Sequence, residues 1–457
     1  MNLVARPAAW AGACMTRWGA ESGDAVLYAG ACLFAVLTGV LAGLSAYRDW
    51  GWLAAAPYGA GAVASASVAL SRARRRRSGA STQTERRAEL GPARVWILLV
   101  TLLGATLVPL CIEVSLGGGT TTSHVQPEVV VIAQAGDRLA HGKDPYHATV
   151  AGGKVRSTVP GEPAFEAFFP YLPLMAAFGL PGAGRGPVHV TDTRVLFSLV
   201  TLAVVGVALL LLDAPRDAKM RALQFLTVLP TAALPLATGG DDMPVVAFLL
   251  LAMVLAQRRR PGWSGLVLGA VSAMKFTAWP LAALALFAAR DERGQRRPGR
   301  MLAGMVVVAG PLVAPFALSN VRAFVDNVVL FPLGLSGVAS PAASNLPGHI
   351  LATAVPALHV VLPVAVALVG GGALIWYLVR RTPSTAATAS QLAGWAMLVA
   401  ILFAPATRVG YLLYPADFFL WAWMFGRADA AARGTDDGDA PAGVPGESEP
   451  GRLAAVH

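Results

Sequence analysis

The chain has 457 residues, 55% of them hydrophobic and only 14% charged, with a formal net charge of +10 and a mean hydropathy of +0.58. That balance excludes a soluble globular protein, and apolar residues arriving in continuous blocks without alternation exclude a membrane β-barrel. The positive charge does not point to nucleic acid, because the arginines cluster at the ends of apolar runs, where orientation in a bilayer accounts for them.

The expected fold is therefore all-α, a polytopic bundle of transmembrane helices. The 48 glycines and 32 prolines fit such a bundle, in which small residues allow close helix packing. Four arginine clusters, at 72–77 with 86–87, at 258–260, at 290–300 and at 380–381, mark the cytoplasmic side by the positive-inside rule. In chain order, spans are then predicted near residues 25–46, 52–71 and 95–115, the third running outward. The segment from Leu116 to about Glu166 lies on the outer face. Further spans follow near 194–213, 222–238, 244–257, 301–318, 356–379, 391–407 and 411–425. A tail from Arg427, rich in Gly, Ala, Asp, Glu and Pro, is expected to be disordered.

Two runs do not fit a simple crossing. Residues 264–289 have arginine clusters on both sides, so both ends belong inside, and Met274-Lys275-Phe276 and Trp279-Pro280 interrupt the run. A re-entrant hairpin carrying Lys275 at its tip satisfies both facts. Residues 168–180, with Pro170, Pro173 and Pro181 in and around them, read as a second re-entrant element. The count is roughly ten spans plus two hairpins, each span long enough for a hydrocarbon core of about 30 Å. Cys14, Cys32 and Cys111 have no metal-like spacing and read as small buried residues outside any disulfide framework.

This map gathers the unusual polar residues on the outer face: Glu113, Glu128, Asp144, His147, Asp192, Arg194, Asp241, Asp242, Lys275, Asp326 and Arg408. Ionisable groups near helix ends in a bundle are costly and are usually functional or paired. Pro127 suits a first helical position and Gly142 a stop, so residues between them form an amphipathic helix lying along the membrane surface. Glu128 projects from its first turn, where it could act as a general base or simply complement the helix dipole. Lys275 could hold a phosphate, snorkel, or be neutralised by a carboxylate. Arg408 could clamp a phosphate bidentately or pair with an outer aspartate. Capping of the next helix accounts for at least one of Asp241 and Asp242, and Asp192 could pair with Arg194. No Ser/His/Asp triad, nucleotide-binding loop or repeating metal spacing stands out, and the glycine run at 117–119 reads as a flexible loop.

The succession of an outward span, an acid, an amphipathic helix, Gly142-Lys-Asp-Pro-Tyr146, Phe169-Pro-Tyr-Leu-Pro173, Asp192-Thr-Arg194, Gly240-Asp-Asp242 and Lys275 before Pro280 resembles the GT-C class of integral membrane glycosyltransferases. Within that class it is most similar to the actinobacterial polyprenyl-phosphate-mannose-dependent mannosyltransferases. The resemblance covers residues 95 to 425. It implies transfer of a hexose, mannose by analogy, from a polyprenyl-phosphate donor to a glycan or glycolipid acceptor, with inversion, on the extracytoplasmic face of the plasma membrane. It implies Glu128 as the base, where the family usually carries Asp, with Lys275 and Arg408 on the donor phosphate. Glu113, Asp144, Tyr146, Asp192, Arg194, Asp241, Asp242 and Tyr414 are further candidates. No cofactor is required; a divalent metal is compatible with the outer acids, though no spacing demands one. A transporter or lipid flippase, or a non-catalytic scaffold for envelope glycan assembly, are the competing classes. The expected division is a two-span extension at 1–94, a glycosyltransferase domain at 95–426 and a tail at 427–457.

Overall fold

The computed structural model describes residues 20–78, 91–116, 124–151, 154–156, 163–184, 189–338 and 341–436. Cys14, the glycine run at 117–119 and the tail beyond Asp436 lie outside them. The chain is a multi-pass membrane protein, and among the described residues eight helices are long and apolar enough to cross a bilayer. These are α1 (Ala20–Leu41), α2 (Ser45–Arg75), α3 (Pro92–Leu116), α5 (Thr193–Leu211), α6 (Arg216–Thr238), α10 (Pro298–Ser319), α12 (Leu358–Arg380) and α13 (Ala386–Phe403). The surface helix α4 (Pro127–Ala140) lies between α3 and α5, and α7 (Asp242–Gln257), α8 (Pro261–Ser272) and α9 (Trp279–Ala288) lie between α6 and α10. A short α11 (Pro347–Ala354) precedes α12, and α14 (Leu413–Asp436) follows α13. The only strands among the described residues, β1 (Thr149–Ala151) and β2 (Lys154–Arg156), form one antiparallel hairpin.

Each of the ten predicted spans falls on a helix. The two beyond the eight are α7, only 16 residues long, and α14, which carries Asp417 in its apolar part. Helix α7 is apolar on all sides and buried along most of its length, so it forms the centre of the main core against α5 and α8. A second core joins α1, α2, α3 and α6 through Tyr28, Trp50, Tyr58, Leu98 and Val228.

The first two helices are thus part of the bundle, and prolines help explain how they join it. A helical carbonyl four residues before a proline has no N–H to accept. Ala105 O stands in that position before Pro109, and Trp50 Nε1 of α2 donates to it at 2.9 Å. Near Pro230, where α6 is kinked, Tyr58 OH donates to Val228 O at 2.5 Å and Thr106 Oγ1 to Thr227 O at 2.9 Å. Kinked helices in a bilayer need such side chains to satisfy their backbone.

The predicted hairpin at 264–289 is present. Helix α8, at about 1.5 Å per residue, is too short to cross, and α9 brings the chain back to where it began. Arg260 and Glu292, on either side of the hairpin, meet at 2.7 Å. Its irregular tip is covered by protein: Leu172 N and Leu174 N donate to Met274 O and Ala273 O, both at 2.9 Å. Residues 168–180 form no second hairpin. From Pro173 to Gly182 they make a single 3-10 helix, because closely spaced prolines prevent the chain from building two α-helical arms.

Other expectations shift. The turn after α1 falls at residues 42–44, so Tyr47 and Asp49 are helical. Helix α14 runs to Asp436, carrying helix ten residues into the predicted tail. Cys111 is exposed on the apolar flank of α3, and Cys32 is half-buried; both are free.

Ionic contacts sort to two ends of the bundle. At the arginine-rich end Asp24, 2% exposed, accepts from Arg94 Nε at 2.6 Å and Arg221 at 2.8 Å, and Gln224 Nε2 adds a third contact at 3.1 Å. Glu21 pairs with Arg72 and Asp217 with Arg427 at the same end, where Gln257 Nε2 also donates to Asp429 Oδ1 at 2.7 Å. Asp24→Asn removes the carboxylate that the buried Arg94 and Arg221 guanidinium groups share, and breaking a buried pair costs about 3–5 kcal/mol. A large fall in the midpoint of thermal unfolding in detergent is expected, whereas exposed Glu292→Gln should leave it within error.

Candidate active site

At the opposite end of the bundle, six separate stretches of chain converge. Helix α4 brings Glu128. Its first residue is Pro127, which needs no hydrogen-bond acceptor there, and Gly142 at φ +68° ends the turn that follows it. Val129, Val131, Ile132, Ala135 and Gly136 are buried, as the amphipathic pattern requires, although Leu139 is only partly so. Gly136 crosses Gly179 of the 3-10 helix so closely that a Cβ on Gly136 would lie 2.3 Å from the Gly179 carbonyl carbon. Gln126 Nε2 donates to Thr238 Oγ1 at 2.7 Å, fixing the start of α4 to the end of α6.

The α6–α7 turn supplies Asp241 and Asp242, and the α8–α9 tip supplies Lys275. Lys275 Nζ lies 2.7 Å from Asp241 Oδ2 and 2.5 Å from Asp242 Oδ1. It also sits 5.3 Å from the centre of the Tyr171 ring and 5.5 Å from that of Tyr411, within cation–π range. Tyr414 OH donates to Asp242 Oδ1 at 2.5 Å and accepts from Thr277 Oγ1 at 2.7 Å. Capping does not explain the acids: Asp241 precedes α7 without any side-chain cap bond, since both carboxylates are turned to Lys275. In this turn, outside the spans, burial pushes the Asp241 carboxyl up to about 7. Lys275 opposes the shift, and the neighbouring charges of Asp242 and Glu128 add to it.

The α13–α14 connection supplies Arg408, which forms an ion pair with Glu128 Oε1. Arg408 therefore has a carboxylate partner, but a glutamate where an aspartate was anticipated. Glu128 Oε2 is buried and has no hydrogen-bond partner among the described residues. Tyr47 of α2 lies within electrostatic reach of both Glu128 and Arg408. The loop bearing Arg408 is braced by Thr407 N donating to Ala342 O at 2.8 Å and by His349 Nδ1 against Pro405 O at 2.8 Å.

Other candidates are placed elsewhere. Arg194, 1% exposed, pairs with Asp192 at 2.7 Å and donates to the carbonyls of Glu113 and His124 at 3.0 and 2.9 Å. Asp192 caps α5 by accepting from Arg194 N. Asp144 accepts from Tyr146 N at 2.9 Å, and Tyr146 OH donates to Tyr171 O at 2.8 Å; both shape the approach to the site. Asp326 accepts from Val150 N at 3.2 Å, joining the outer loop to β1. Glu113 is grouped with Asp49 and His124, whose donor atoms all lie within 4.8 Å of one another; among the described residues only this trio is so arranged that it could hold a metal ion.

Tyr47, Tyr171, Thr277, Tyr411, Asp49 and His124 belong to these clusters without having been predicted. Tyr171 stood inside the Phe169-to-Pro173 motif, a signal that could have drawn it in, and Tyr411 stood three residues from Arg408. The others had no local mark.

The all-α multi-pass bundle has a GT-C-like fold, and three carboxylates, two cations and a set of tyrosines gather at one end of it. The sequence profile of glycosyltransferase family 87 matches residues 169–405, just over half the chain, and the chain belongs to that family. No curated protein and no solved structure matches it. The matched region contains Asp192, Arg194, Asp241, Asp242 and Lys275, while Glu113, Glu128, Arg408 and Tyr414 lie outside it. Since Gly136 sets how α4 rests on the bundle, Gly136→Ala should destabilise the protein by about 1–3 kcal/mol through overpacking. It should also lower glycosyl transfer by displacing Glu128; thermal unfolding and initial rates on the same preparation check both.

Proposed function

We propose that this enzyme transfers a hexose, mannose by family resemblance, from a polyprenyl-phosphate sugar to a glycan or glycolipid acceptor, with Glu128 as the general base. The observation that carries the reading is the asymmetry of Glu128. One oxygen is held by Arg408 and the other is buried and free to accept a proton. An oriented carboxylate with an open lone pair in a covered site is what deprotonation of a sugar hydroxyl needs.

In the reaction, Glu128 Oε2 takes the proton of the acceptor hydroxyl, and that oxygen attacks the anomeric carbon opposite the phosphate. The bond from the anomeric carbon to the phosphate oxygen breaks, and polyprenyl phosphate leaves with the electron pair. Attack from the opposite face inverts the configuration. Negative charge on the phosphate grows as the bond breaks, and Lys275 and Arg408 are the cations within the cluster that can stabilise it. Both are already engaged by carboxylates, so the donor phosphate must share them. The positive-inside rule supports an extracytoplasmic site in the plasma membrane, with the arginine-rich end in the cytoplasm. Donor and acceptor then meet where α4 lies along the membrane surface.

Membranes carrying the wild-type chain should transfer labelled mannose from polyprenyl-phosphate-mannose, and Glu128→Gln at equal protein level should lower the rate about 10²–10⁴-fold. Undiminished transfer by the variant would remove Glu128 as the base. A second expectation follows from Asp241. Below about pH 7 its carboxyl holds a proton and the Asp241–Asp242–Lys275 group is neutral; above that pH the group carries a net negative charge. The donor KM should therefore rise as pH climbs through 7 in the wild type, while in Asp241→Asn that rise should be absent.

A further inference from the structure

We infer that Asp49, Glu113 and His124 bind one divalent metal ion of the zinc or manganese class, which ties the N-terminal hairpin to the root of the helix bearing Glu128. Asp49 stands near the start of α2, Glu113 in the last turn of α3 and His124 just before α4, so three separate elements each give one ligand. His124 Nδ1 lies 3.4 Å from Asp49 Oδ2 and 3.4 Å from Glu113 Oε2. Those separations exceed an ordinary hydrogen bond of about 2.7–3.2 Å. They match the edge of a tetrahedron, roughly 3.4 Å, for metal–ligand bonds of about 2.1 Å.

A second observation points to a ligand. Glu113 has no solvent exposure, and both its carboxylate oxygens and His124 Nδ1 are buried without a hydrogen-bond partner among the described residues. A carboxylate withdrawn from water and left without a hydrogen bond is expensive, and an ion or water is what satisfies buried orphan atoms grouped in this way. Arg194 gives that carboxylate no hydrogen bond. The guanidinium points at the backbone carbonyls of Glu113 and His124 and at the Asp192 carboxylate. It thus fixes the two ligands' main chain, the part played by outer groups around metal centres. One imidazole nitrogen with two carboxylates suits zinc or manganese better than magnesium or calcium. Asp49, with its side chain 39% exposed, forms the open side through which the ion and a water ligand can enter.

The ion's part is positional. His124 is four residues before Glu128, and Gln126 between them is bound to Thr238. An ion on His124 would anchor the start of α4 from the α2 and α3 side. That consequence rests on the proposed role of Glu128, but metal binding itself does not.

The test uses the full chain purified in detergent and exchanged into metal-free buffer, with zinc or manganese then supplied and excess removed. About one ion per chain should remain by elemental analysis, and Glu113→Gln and His124→Ala should each lose it. Chelation of the wild type should lower its unfolding midpoint, and zinc or manganese, but not magnesium, should restore it. Asp49→Asn, at the half-exposed ligand, should weaken retention at least tenfold and guards against misfolding of the other variants. A wild type that retains no ion and is insensitive to chelation overturns the inference. So does a stoichiometric ion that survives in both Glu113→Gln and Asp49→Asn. Transfer activity plays no part in these readouts, so failure of the proposed reaction would be seen separately.

Discussion

A charge inside a low-dielectric bundle must find its opposite, and the Lys275 ammonium between Asp241 and Asp242 is where this chain meets that demand most fully. The hairpin can bring a cation to its tip only because the α6–α7 turn presents two carboxylates there. The turn can bury two acids only because a cation arrives. Tyr414 and Thr277 extend the contact by hydrogen bonds, so α7, α14 and the hairpin share one polar junction. Glu128 and Arg408 repeat the arrangement nearby, and Tyr171 lies within electrostatic reach of both pairs. The site is thus an ion triad and an ion pair with aromatic rings between them, held in place by elements that are otherwise apolar.

The N-terminal helices take part in this economy. They donate to carbonyls near proline-induced breaks in α3 and α6, they hold Asp24 against Arg94 and Arg221, and they bring Tyr47 near Glu128. A division at residue 94 is convenient for reading the sequence, but the contacts run across it at both ends of the bundle.

Most of the scaffold was legible because a bilayer imposes simple rules on composition. Apolar runs gave the spans, and arginines on both sides of a run broken at Lys275 and Pro280 gave the hairpin. Pro127 and Gly142 bracketed α4 correctly. What failed were local readings overruled by distance or by silence. Capping was expected to account for at least one of Asp241 and Asp242 because their neighbours invite it, whereas both turn to Lys275, 34 and 33 positions away. The turn after α1 was misplaced because Ala42-Gly43-Leu44 is as apolar as the helix before it, and Tyr47 and Asp49 were thereby lost to view. Residues 168–180 carried hairpin-like prolines but too few residues for two arms. Pairings such as Glu128 with Arg408 follow from the fold and leave no trace in spacing.

The hairpin formed by α8 and α9 has an effect on the chain that reaches past its tip. A segment that enters and leaves through the same face contributes nothing to the parity of crossings. Helices α10 to α14 therefore keep the sidedness they would have if the hairpin were replaced by a short loop. Losing one arm and keeping the other would invert every helix after it and carry Arg408 away from Glu128. The return of α9 to the end where α8 began is thus what keeps the two halves of the site on the same side of the membrane.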